Sequence, residues 1–127
     1  MADTESDSEF SERQLRLASA AIAQGHSDPE NLRELLICTT STITHDMVEQ
    51  YFRQHHQDKE LLRALVSIAL EGEDAGDAPW AAANTIADFP ASMIAEHRAA
   101  LLELSRHEWT YLQVPAQEAL AKIDSSS

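Results

Sequence analysis

The sequence predicts an all-α protein, and three observations carry that prediction. From Phe10 to Ile123 the apolar residues recur at three- and four-residue intervals, the period of one helix face. No stretch alternates apolar and polar residues at the period of a half-buried strand. The punctuation is helical too: an Asp-Pro step opens one periodic segment, glycines close two others, and Pro90 stops another. A length of 127 residues with 43% apolar content suits one domain with a modest core, placed here at residues 9–124.

The first eight residues, "MADTESDS", are acidic and low in complexity and are expected to be disordered; the tail at 125–127 is expected to fray. The first helix is predicted over about 9–24. Leu15, Ala18 and Ile22 form its apolar stripe, Leu17 and Ala21 widen it, and Gly25 ends it. The second helix starts at Asp28, a natural N-cap, with Pro29 at the first helical position, where no N–H is needed. Leu32, Leu35 and Leu36 make its buried face.

The third helix opens in "TITHDMVEQYF", with Thr44 as cap, Ile43 and Val48 as a hydrophobic staple, and Met47, Val48, Tyr51 and Phe52 as its apolar face. The fourth starts at Asp58, buries Leu61, Leu62, Leu65, Ile68 and Ala69, and ends at Gly72. The fifth is "APWAAANTIADF", with Asp77 near its cap and Ala82, Ile86 and Phe89 in one row. The sixth spans about 92–106, with Ile94, His97, Leu101 and Leu104 on one side. The seventh spans about 108–123, and Pro115 within it predicts a kink or an irregular first turn.

Shifting the chain by 34 residues places Trp80 on Val114, Ala82 on Ala116, Ile86 on Leu120 and Phe89 on Ile123. The shared pattern is apolar-x-Ala-x-x-x-apolar-x-x-apolar: the alanine permits close helix approach and the larger residues fill the groove. On these residues the chain resembles the HEAT-repeat family. "DAPWAAANTIADF" and "QVPAQEALAKI" look like first helices of such repeats, and "ASMIAEHRAALLELSRH" looks like the second helix between them. The resemblance covers about residues 77–124. It implies a short HEAT-like helical-repeat stack of six to seven antiparallel helices, with the outer helices as caps, and a function in binding proteins.

Charge narrows the partners. The formal net charge is −13, and Lys59 and Lys122 are the only lysines. Phosphate binding runs on Lys and Arg, so neither nucleic acid nor an anionic membrane surface is the expected ligand; a basic protein is. Between Arg63 and Arg98 there is no Lys or Arg at all, while Glu71, Glu73, Asp74, Asp77, Asp88 and Glu96 fall in that window. The acidic, polar N-terminus is unlike a signal peptide, and no apolar run is long enough to span a bilayer. With the single cysteine, Cys38, on a helical pattern, these features predict a cytoplasmic protein whose thiol is buried and structural.

Catalytic and metal chemistry find no support in the spacing. The six histidines include no His-x-x-x-His or Glu-x-x-His, and His55 and His56, being adjacent, point about 100° apart on a helix. Deoxyhypusine hydroxylases, a HEAT-like enzyme family, bind iron through several His-Glu pairs; this chain has one, His107–Glu108. HEAT-like DNA glycosylases use a basic face with no counterpart here. His55, His56 and His107 are expected to be solvated helix-end residues. No carboxylate pair, phosphate cradle or nucleophile elbow stands out. No cofactor and no metal is expected, and no enzymatic activity.

What remains is a surface. The 34-residue shift places Trp109 at the equivalent of Ala75 and Tyr111 at the equivalent of Asp77. In stacked repeats, equivalent positions line one edge. The expected partner-binding residues are therefore Glu71, Glu73, Asp74, Asp77, Trp80, Trp109 and Tyr111, with aromatic rings for burial and acids for steering. The function expected of such a small, acidic, all-helical chain is that of an immunity-type inhibitor, which binds and occludes a cognate toxin or enzyme. An adaptor or scaffold subunit of a larger complex is the alternative, and an enzyme or lyase working in a HEAT-like groove is the third.

Overall fold

The computed structural model describes residues 7–72 and 76–126. All regular structure among them is helical, with no strand. The α-helices are α1 (Asp7–Gln24), α2 (Pro29–Cys38), α3 (His45–Gln54), α4 (Lys59–Ala69), α5 (Ala78–Ala87), α6 (Ala91–Ile94), α7 (Arg98–Ser105) and α8 (Thr110–Ser126). A 3-10 turn, Ala95–His97, joins α6 to α7. The chain forms two compact units, Met1–Tyr51 and Phe52–Ser127, and the boundary along the chain falls within α3.

In the first unit α1 packs chiefly on α2. α1 begins at Asp7, before the expected start, so Asp7 and Ser8 are helical; the rest of the stretch expected to be disordered lies outside the described residues. Gly25 ends α1 in the left-handed region at φ +88, where a side chain would be strained. The buried Asn31 then joins the two helices. Its amide donates to the Gly25 carbonyl and, at 2.8 Å, to the Ala21 carbonyl, which also accepts the Gly25 N–H at 3.1 Å, so one side chain ties the start of α2 to the end of α1.

Asp28 caps α2 as its sequence predicts. Its backbone is extended (φ −88, ψ 121) and its carboxylate accepts from the Glu30 N–H at 3.1 Å. Leu32, Leu35 and Leu36 are buried. On α1, by contrast, only Ala18 and Ala21 of the expected stripe are buried; Leu15 is 40% and Leu17 58% exposed. A helix packed chiefly on one neighbour covers a narrow strip, and a wide apolar stripe in sequence does not guarantee wide burial. Thr44 also differs from expectation: its hydroxyl donates back to the Cys38 carbonyl at 2.7 Å, closing the end of α2. Its own carbonyl accepts the first α3 bond from the Val48 N–H at 3.3 Å.

In the second unit α4 packs on α5, α5 on α8, and α8 also on α6 and α7. Asp58 caps α4 from an extended backbone (φ −88, ψ 104), accepting from the Leu61 N–H at 3.1 Å. The expected apolar face of α4 is buried, together with Val66. Ala82, Ile86 and Phe89 are all fully buried, as is Leu112 on α8.

The predicted sixth helix is not continuous. α6 packs on both α4 and α8, whereas α7 packs on α8, and the tighter 3-10 turn marks the change of neighbour. α8 runs through Pro115, which is buried; the proline lacks an N–H, so the Tyr111 carbonyl four residues earlier loses its helical donor. α8 continues through Ser125 to Ser126, past the point where fraying was expected. Lys122 reaches from α8 to the end of α5, where its ammonium donates to the carbonyls of Ala87 (3.2 Å) and Phe89 (2.7 Å), the end of the helix that favours a cation.

Candidate functional site

The expected edge is built from the ends of α4 and α7 and the starts of α5 and α8. After α4 the chain turns at Gly72, whose φ of +81 favours glycine. After α7 it turns at His107, whose N–H donates to the Leu104 carbonyl at 3.0 Å. The His107 ring closes that turn: its Nδ1 accepts the Trp109 N–H at 2.9 Å. A Cβ placed on Gly72 would stand 3.6 Å from His107 Nε2, so the two turns touch. His107 is thus a half-buried structural residue, in contrast to the solvated helix-end residue expected of it.

The Trp109 carbonyl accepts from Leu112 and Gln113 at 3.0 and 3.1 Å, which starts α8 and sets its faces. Leu112 turns into the core while Tyr111, its neighbour, stays 56% exposed. Trp80, at the third position of α5, is half-buried. The three aromatic side chains form a row. The Tyr111 ring centroid lies 5.2 Å from that of Trp80, tilted by 52°, and 5.6 Å from that of Trp109, edge to face at 83°. Val114, one turn beyond Tyr111 on α8, is exposed as well.

The acids stand less uniformly. Glu71 and Asp77 are exposed; Glu73 and Asp74 lie outside the described residues. Asp77 does not cap α5 with its side chain. An N-cap carboxylate reaches the next N–H groups from an extended backbone, as Asp28 and Asp58 do, whereas Asp77 is already helical (φ −83, ψ −16) and only its carbonyl is used, by Ala81 at 3.0 Å. Its carboxylate is therefore directed to no helix N–H. Glu108, next to Trp109, is exposed too, an acid that the sequence reading passed over beyond its place in the His-Glu pair.

His56 departs furthest from expectation. Its ring packs on Phe89 (centroids 4.8 Å apart, tilted by 41°), and its buried Nε2 has no hydrogen-bond partner among the described residues. Burial pushes its pKa below the ordinary 6.5, with Lys122 and Arg53 adding to the effect and Asp88 opposing it. The unfolded chain then takes up a proton at a higher pH than the folded chain. His56 accordingly lowers stability as pH falls from about 6.5 toward its folded-state pKa, and changes nothing further below that. Between about pH 7.5 and pH 5.5 the wild type should lose more melting temperature than His56→Phe, measured by circular dichroism. Equal losses would show that the imidazole is not the group responsible.

Neither Cys38 nor the start of α3 makes a second site. Cys38 is half-buried, and burial, with the nearby Glu34, raises its thiol pKa despite a hydrogen bond with Thr44, the opposite of what a nucleophile needs. His45, Asp46 and Glu49 each bring one potential ligand atom within 4.8 Å of the others, with His45 and Glu49 four residues apart. His45 and Asp46 open α3, at the helix end whose dipole repels a cation, and His45 Nδ1 already lies 3.1 Å from Asp46 and 3.8 Å from Glu49, one turn on. No helix among the described residues is long and apolar enough to cross a membrane. Comparison with family models, curated proteins and solved structures finds no significant match.

Proposed function

We propose that this chain is a non-catalytic protein-binding module of the HEAT-like type, acting in the cytoplasm as an immunity-type inhibitor that occludes a basic toxin or enzyme. The observation that carries the reading is the row Trp80–Tyr111–Trp109, part-exposed on an acidic molecule and flanked by exposed carboxylates. Large aromatic rings supply contact area at low entropic cost, and like-signed acids around them steer a basic partner and repel an acidic one. The HEAT-like part of the reading is supported by the packing of α5 on α8, the two helices that the 34-residue shift superimposes. Their equivalent alanines, Ala82 and Ala116, are both buried, as close-contact positions of successive repeats would be.

The test is capture of the partner from native lysate, followed by reconstitution with purified proteins. An inhibitor abolishes the partner's activity at one-to-one stoichiometry; an adaptor leaves it active. Reversing Glu73 and Asp74 to lysine should slow association by about three- to tenfold at low salt, with the difference shrinking as salt rises, because exposed charges act mainly on the encounter. Unchanged association rates at low ionic strength would remove the acids from the reading.

A further inference from the structure

Resting on that reading of the edge, we infer that Tyr111 and the two indoles beside it form the seat for an arginine side chain of the basic partner. Three observations converge on a planar cation. Tyr111 is more than half exposed, and its neighbours are indoles with centroids at 5.2 and 5.6 Å, so three aromatic rings lie together at the surface. Cations are drawn to the faces of Trp and Tyr. Acids neighbour both end rings along the chain: Asp77, the N-cap residue of α5, comes three residues before Trp80, and Glu108 comes directly before Trp109. Both are exposed, and the Asp77 side chain makes no capping bond.

The chain supplies little cation of its own here. No Lys or Arg occurs between Arg63 and Arg98, and the second turn holds His107 but no Lys or Arg, Arg106 standing exposed just before it at the end of α7. Among the described residues, an internal pair of the kind inferred occurs elsewhere: Arg13 lies over the Phe10 ring at 5.7 Å.

Guanidinium fits this surface better than ammonium. It is flat, so it stacks on a ring; it is weakly hydrated, so less is lost on contact; and its fork can grip a carboxylate at the rim while its face stays on the ring. A lysine ammonium, a strongly hydrated point charge, gains the electrostatic part but not the stacking.

The probes are two peptides of equal length and charge, acetyl-(Gly-Arg)3-amide and acetyl-(Gly-Lys)3-amide. The readout is the indole N–H resonances in a proton–nitrogen correlation spectrum, which number two because the chain has two tryptophans. The arginine peptide should bind about three- to tenfold more tightly than the lysine peptide and shift both indole signals. Tyr111→Leu should bring the two peptides level, and Tyr111→Phe, which keeps the ring, should preserve the preference. Equal binding by the wild type, unshifted indoles, undetectable binding of the arginine peptide, or a preference that survives Tyr111→Leu would each overturn the inference. If the peptides bind alike while Tyr111→Ala still loosens the captured partner, the edge stands and the arginine assignment falls. If neither probe nor partner responds to Tyr111, both fall together.

Discussion

Phe89→Ala should destabilise the second unit by about 3–5 kcal/mol, the range for removing a fully buried aromatic ring. Phe89 follows the end of α5, has no exposed surface, and carries the His56 ring at 4.8 Å. Truncation therefore opens a cavity and strips the imidazole of the ring it packs against. The Lys122 contact at the Phe89 carbonyl should survive, since it uses only backbone. Single domains are stable by about 5–15 kcal/mol, so a loss of this size should be obvious in urea. Trp80 and Trp109 both lie in the second unit, so tryptophan fluorescence reports that unit directly. Phe89→Leu, which refills most of the space, should cost much less. A change below about 1 kcal/mol for Phe89→Ala would mean that the ring is dispensable to packing.

The second large effect concerns the partner. Tyr111→Ala should cost about 2–4 kcal/mol of binding, mostly as faster dissociation, if the central ring of the row is an interface anchor. Its exposed side chain contributes little to the core, so the variant should melt close to the wild type. Trp109→Ala should weaken binding by a similar route but should also lower the melting temperature. Trp109 is half-buried and packs T-shaped with Tyr111, so its loss also removes packing. Surface plasmon resonance with the captured partner separates the two effects. Wild-type dissociation from both variants would leave the row as a structural feature of α8's first turn.

The candidate edge was legible in part. The 34-residue register pointed to Tyr111 and Trp109 as neighbours of the turn before α5, and the contact of Gly72 with His107 brings those turns together. Asp77 was legible as a helix-start residue but not as a carboxylate left without a capping bond, because its backbone angles depend on how the turn enters α5. Glu108 was passed over because adjacency to one aromatic residue is no signal until that residue is known to be part-exposed.

By itself the sequence determined that the chain is helical and where several of its helices start and stop. A capping aspartate, a proline at the first helical position, and a glycine free to adopt positive φ all act within one turn of chain, so Asp28, Asp58, Gly25 and Gly72 could be read locally. It also determined the acidic character and the leucine-rich faces of α2 and α4, which are buried as their spacing predicts. Only the tertiary structure decided that Leu15 and Leu17 stay exposed, that His56 is drawn onto Phe89, that the run from Ala91 to Ser105 is broken by a 3-10 turn, and that Trp80, Tyr111 and Trp109 share one row. Burial depends on which distant segment supplies the covering surface. Helix periodicity states which face is apolar, but not whether another part of the chain is there to meet it.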